Sequence, residues 1–133
     1  MNKVNFNELD FNYDTYLETY QSKPFTGIAL EISANANLIA EVSFKDGIKD
    51  GPSKYWYPSG QIEKDFYFKN GVGHGHMKEW YENGQLKEES IIELGVILWR
   101  NLWDEKGQLI EEYKLKEEDQ LYEILLIRRK NYS

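Results

Sequence analysis

Between residues 38 and 115, apolar side chains alternate with polar ones at a period of two, and the alternation restarts at a near-constant interval. Leu38, Ala40, Val42 and Phe44 form one such run. Ile62, Lys64, Phe66 and Phe68 form the next, then Leu86, Glu88, Ser90, Ile92 and Leu94, and finally Leu109, Glu111, Tyr113 and Leu115. A period of two is that of a strand with one face buried. The Ala40 position becomes Lys64, Glu88 and Glu111 in later runs, which predicts a column near an opening or an edge. Ahead of each run, a shorter segment places Ile32, Trp56, Trp80 and Trp103 in register. Strands lie about 4.8 Å apart, so a two-strand unit would return that column every ~10 Å as an aromatic ridge.

Glycine keeps the same phase. Gly27, Gly51 and Gly75 fall at intervals of 24 residues, and so do Gly47, Gly71 and Gly95. Two interleaved ladders mean two turns per unit, hence one β-hairpin per unit. Tyr55-Trp56-Tyr57-Pro58-Ser59-Gly60-Gln61-Ile62 returns as Glu79-Trp80-Tyr81-Glu82-Asn83-Gly84-Gln85-Leu86, and more weakly as Leu102-Trp103-Asp104-Glu105-Lys106-Gly107-Gln108-Leu109. Leu38 begins the same register, giving four copies over residues 24–116, the last one residue shorter. The predicted fold is mainly β, an elongated antiparallel meander of hairpin repeats. The turn residues Gly71 and Gly84 are expected to need a left-handed backbone that valine cannot adopt cheaply.

The ends break the pattern. Residues 1–23 lack the glycines but carry Phe6, Phe11, Tyr13, Tyr16 and Tyr20, as a cap or leading strand would. From Glu117 onward, Leu121, Ile124, Leu125 and Arg128 follow helical spacing between an acidic start and a basic finish, favouring a helix. Tyr122 to Ile127 also reads as a buried strand; either form makes 117–133 a C-terminal cap. At 133 residues the chain suits a single domain spanning 1–133.

Composition narrows the chemistry. Cysteine is absent, which removes disulfides, thiolate metal sites and a cysteine nucleophile. No apolar run suits a signal peptide or a membrane span, so a soluble, cytoplasmic protein is expected. The net charge of −7 argues against direct nucleic-acid binding and against an anionic membrane, and favours a basic protein partner.

Several constellations were weighed for catalysis or cofactors. His74 and His76, with Glu79 near, form the one candidate metal cluster, but His74 takes the place of Asp50 in the preceding copy and reads as a turn residue. Gly71 to Gly75 might suggest a phosphate cradle, but a strand follows where such a loop needs a helix. Glu63, Asp65, Glu82, Glu88, Glu89, Glu111 and Glu112 recur in phase, as solvated strand faces do, whereas a general acid needs a singular environment. No catalytic residue, metal or cofactor is therefore expected. The Trp56, Trp80 and Trp103 column, flanked by tyrosines, reads either as core filler or as an exposed recognition ridge.

The segment Lys69-Asn70-Gly71-Val72-Gly73-His74-Gly75 followed by Glu79-Trp80-Tyr81-Glu82-Asn83-Gly84-Gln85-Leu86 resembles the bacterial variant of the MORN repeat, over roughly residues 24 to 115. The match departs at Trp99, in the place of Gly75, and at Ala36, in the place of Gly60. The resemblance implies an antiparallel meander without catalytic residues. It further implies an antitoxin or immunity role, neutralising a cognate protein toxin, with a scaffold or membrane-associated adaptor as the alternative and a small enzyme after that. The expected partner-binding residues are the aromatics Tyr55, Tyr57, Trp80, Tyr81 and Trp103 together with the acids Glu63, Asp65, Glu79, Glu82, Glu88, Glu89 and Glu111.

Overall fold

A computed structural model describes residues 2–132; Met1 and Ser133, at the tips of the two expected caps, lie outside the described residues. The elements in order are β1 (Lys3–Asn5), a 3-10 turn (Phe6–Glu8), β2 (Asp10–Asn12), β3 (Leu17–Tyr20), β4 (Lys23–Pro24), β5 (Gly27–Ile32), β6 (Leu38–Lys45), β7 (Ile48–Trp56), β8 (Ile62–Lys69), β9 (Val72–Trp80), β10 (Leu86–Glu93), β11 (Val96–Trp103), β12 (Leu109–Lys114) and α1 (Gln120–Tyr132). Strands β5 to β12 form an antiparallel meander in chain order, with β1 alongside β5, and β2, β3 and β4 make a small sheet of their own. The N-terminal segment is thus more than a cap, because β1 joins the large sheet in the parallel sense. The tail is helical from Gln120.

Two kinds of turn alternate. Asp46-Gly47, Asn70-Gly71 and Leu94-Gly95 each have both residues at positive φ, the two-residue type I′ geometry that matches strand twist. Leu94 at φ 51 occupies a place that suits asparagine, and its side chain is buried. The other turns have four residues and end on a positive φ: Ala36 (65°), Gly60 (94°), Gly84 (87°) and Gly107 (86°). Their closure repeats from copy to copy: Gly60 donates to Tyr57 and Gly84 to Tyr81, both at 2.9 Å.

The register sorts side chains onto two faces. On the front, Ala29, Val42, Ser53, Phe66, Met77, Ser90, Arg100 and Tyr113 lie opposite one another across successive strands. One residue along, on the back, the row reads Leu30, Glu41, Lys54, Asp65, Lys78, Glu89, Asn101 and Glu112. At its N-terminal end the front face is covered: Val4, Phe25, Ala29, Val42 and Phe44 form the main core, with Phe6, Leu9 and Tyr20 packed around it. At the other end α1 lies over Leu94 and Val96 and buries Leu125 completely. Arg128 donates to the Leu94 carbonyl at 2.7 Å, and Arg129 grips Glu93 through two bonds of 2.6 and 2.8 Å.

Candidate functional site

Between these covers the front face lies open, and the column first flagged by Ala40 runs through it. Its full row is Glu31, Ala40, Tyr55, Lys64, Glu79, Glu88, Leu102 and Glu111. Ala40 is buried, Glu31 and Glu111 are exposed, and the remaining residues are half-buried. Glu79 and Glu88 face each other directly on β9 and β10, an arrangement that disfavours pairing between like charges. Two lysines moderate the strip. Lys87 meets Glu79 at 3.2 Å and sits 5.4 Å over the Tyr81 ring, while Lys64 sits 5.9 Å over Tyr55 and 6.0 Å over Phe66.

Carboxylates colour the tyrosines here. Burial, then Glu31 and Glu63, push the Tyr55 hydroxyl above its ordinary value. Desolvation and Glu63 do the same to Tyr57, with Glu79 and Glu82 adding and Lys87 opposing. The Lys87 ammonium is held upward chiefly by its hydrogen bond to Glu79. Any group lodged against Tyr55 and Tyr57 therefore meets negative potential, which the hydroxyls resist increasing by keeping their protons.

Of the residues expected to bind a partner, the structure gathers Tyr55, Tyr57, Glu63, Glu79, Tyr81 and Glu88 around this strip. Glu82 stands in the following turn, near enough to act on Tyr57. Glu111 lies at the far edge of the same face, 3.3 Å from Arg100. Asp65 and Glu89 are on the back, each opposite a lysine. Trp80 and Trp103 are half-buried, neither a full core nor a free ridge, and their backbone carbonyls accept the hydroxyls of Tyr57 (2.7 Å) and Tyr81 (2.9 Å). Each of these tyrosines thereby ties one hairpin to the next.

His74 has a defined task. Its Nδ1 accepts the Leu94 N–H at 3.0 Å, as Asp50 accepts that of Asn70 at 3.0 Å and Thr26 that of Asp46 at 2.8 Å. The residue ahead of each turn glycine in one hairpin therefore caps the type I′ turn of the next. An acceptor Nδ1 leaves the ring proton on Nε2. Gly75, at φ +84 in a bulge, interrupts the alternation that would set His74 and His76 on one face, and among the described residues no group of three or more acidic or imidazole side chains is placed to hold a metal ion.

Sequence reasoning overlooked Lys64 and Lys87, the two cations of the strip. It also overlooked the back-face ladder, although the signal was present: Glu41, Asp65 and Glu89 recur every 24 residues, and so do Lys54 and Lys78.

The architecture is that of a hairpin-repeat sheet. Its repeat is a MORN repeat variant, which matches residues 49–70 and 73–91, the stretch from β7 into β10. No curated protein and no solved structure matches the chain. Among the described residues no helix is long and apolar enough to cross a membrane.

Proposed function

We propose that this chain is a non-enzymatic binding protein of the MORN-repeat scaffold kind that presents its open front strip to a protein partner with a basic surface. The observation that carries the reading is the difference in charge order between the faces. On the back, opposite charges alternate from Glu41 to Glu89, and Lys78 meets Glu89 at 3.4 Å. On the front, Glu79 opposes Glu88. A lysine or arginine from a partner would relieve that opposition, and its aliphatic stem would pack on Tyr55, Phe66 and Met77. The net charge of −7 would steer such a partner in. In its finer form, which rests on the resemblance, the partner is a cytoplasmic toxin that the chain neutralises by covering a cationic cleft. The reading needs no cofactor, and the acidic balance turns away nucleic acid and anionic lipid.

The experiment uses the product of the neighbouring reading frame as the candidate partner. Its association rate is measured against ionic strength for the parent, for a Glu79→Gln/Glu88→Gln variant and for an Asp65→Asn/Glu89→Gln variant. The front variant is expected to slow association and flatten the salt dependence, and the back variant to leave both unchanged. Equal effects from the two variants would overturn the front-face assignment. Toxicity of the neighbour that co-expression fails to relieve would remove the neutralising form while leaving the binding form standing.

A further inference from the structure

The two edges of the large sheet are unlike. At one, β1 contributes three residues; at the other, β12 ends the sheet with six, Leu109–Lys114, among which Leu109 is 46% and Ile110 63% exposed. An edge of this length, without proline, is a template for further pairing. The Leu115 N–H bonds back to Leu98 at 2.8 Å, and the alternation of an antiparallel ladder then turns Tyr113 and Glu111 inward toward β11. The N–H and C=O groups of Ile110, Glu112 and Lys114 point outward.

Charge order selects what would meet them. The back row runs Glu41, Lys54, Asp65, Lys78, Glu89, Asn101 and stops at Glu112, an acid at the rim with no strand beyond it. If a second β12 pairs antiparallel about a twofold axis, the outward groups allow few registers. Pairing Glu112 with its own copy, or Lys114 with its own copy, sets like charges opposite one another. Centring the axis on Tyr113 instead places Glu112 opposite Lys114 of the other copy, twice, and continues the alternating ladder. The helix does not obstruct this edge. It starts beside Tyr113 and Val96 and runs inward over the front face toward Lys69 and His74, where Tyr132 lies.

We propose that β12 is a docking edge for a second copy of this chain, the two strands pairing antiparallel about Tyr113 so that Glu112 of each meets Lys114 of the other and the two sheets become continuous. The symmetry is that of an isologous dimer, in which one patch complements itself. The inference goes beyond the front-strip reading and does not depend on it.

The absence of cysteine from the chain makes the test direct. Self-paired residues across such an axis bring their β-carbons close enough for a disulfide. Mild oxidation of the full-length Tyr113→Cys protein is expected to yield a covalent dimer on a non-reducing gel, and the Glu112→Cys protein to remain single. Sedimentation should show a concentration-dependent dimer for the parent. Glu112→Lys and Lys114→Glu should each weaken it at least tenfold, and the double reversal should restore it, with circular dichroism verifying the fold of every variant. A parent that sediments as a monomer at all concentrations, a covalent dimer through position 112 in place of 113, or a double reversal that fails to restore association in a folded protein would overturn the proposal.

Discussion

The two faces of the sheet are built from the same strands and turns, one residue out of phase, yet they solve the problem of charge differently. At the back position the repeats hardly vary: Glu41, Asp65, Glu89 and Glu112 are all acidic, and Lys54 and Lys78 stand between the first three. At the neighbouring front position every copy differs, with Ala40, Lys64, Glu88 and Glu111 in turn. A position that recurs unchanged is doing a task each hairpin needs, here cross-strand pairing of opposite charges. A position that changes from copy to copy is free of that task, and its like-charge opposition is left for something outside the sheet to settle. The sharpest contrast is thus between a face that is complete in itself and one that is not.

The most forceful way to break the contrast is to remove the cover at one end of the front. Leu125 is the only completely buried residue of α1, and its neighbours Ile124, Leu126 and Ile127 are exposed, so the helix is pinned through one side chain and two arginines. Leu125→Ala is expected to cost about 2–5 kcal/mol, the range for a fully buried leucine. Urea denaturation checks the magnitude, and a loss of helical circular dichroism ahead of the sheet transition checks that it is α1 that lets go.

Next in size is the turn that fixes which face is which, since a slip of one residue exchanges front for back. Gly71 sits at φ +84, and an added β-carbon would lie 2.9 Å from Ile48 Cγ2. Gly71→Val should destabilise by roughly 1–3 kcal/mol. Gly84→Val, at φ +87 but facing only the flexible Gln61 amide at 3.4 Å, should cost less. Ala36, at φ 65 in the place of Gly60, carries the converse expectation: Ala36→Gly should stabilise by about 0.5–1 kcal/mol. Denaturation midpoints that rank these three otherwise would show that the turns do not set the register.

The hairpins, their two turn types and the helical tail were all legible in the chain, because glycine spacing and side-chain alternation are local signals that agree with each other. The site was half legible. Tyr55, Glu79 and Glu88 announce themselves as aromatic and acidic, but which acids share a face depends on pairing across bulges, and a bulge moves a side chain without marking the sequence. Asp65 and Glu89 were therefore grouped with residues from which the sheet separates them. The hydroxyls of Tyr57 and Tyr81 hold repeats together, and nothing local distinguishes such a tyrosine from a free one. Leu94 is a position where turn chemistry and burial conflict. Burial prevails because Val96 and Leu125 are also buried there and Arg128 takes up the Leu94 carbonyl.

A smaller effect separates the covered end of the front from its open middle by pH. The Arg129 hydrogen bonds hold the Glu93 carboxyl below its ordinary value, so the stability it contributes is fully present above the unfolded carboxyl's pKa of about 4.3 and is lost as pH falls through the lower folded value. The pair is exposed enough that its worth is about 0.2–1 kcal/mol. Glu93→Gln should erase that part of the acid-side slope, a comparison that denaturation midpoints across the acid range would settle.

The smallest effects carry the comparison itself, because they should differ in sign. Lys78 stands between Asp65 and Glu89, so Lys78→Glu converts two favourable cross-strand pairs into like-charge pairs and should destabilise by about 0.5–1 kcal/mol at low salt. Glu88 stands opposite Glu79, and Glu88→Lys converts a like-charge pair into an attractive one, losing only the Ser90 hydroxyl's 3.1 Å bond to its carboxylate. That substitution should stabilise by a few tenths of a kcal/mol. Both changes should shrink as salt screens them, with a Debye length near 10 Å at 0.1 M. If the two variants lose stability alike, or if neither responds to salt, the front row is as settled as the back, and the strip has no unmet charge for a partner to answer.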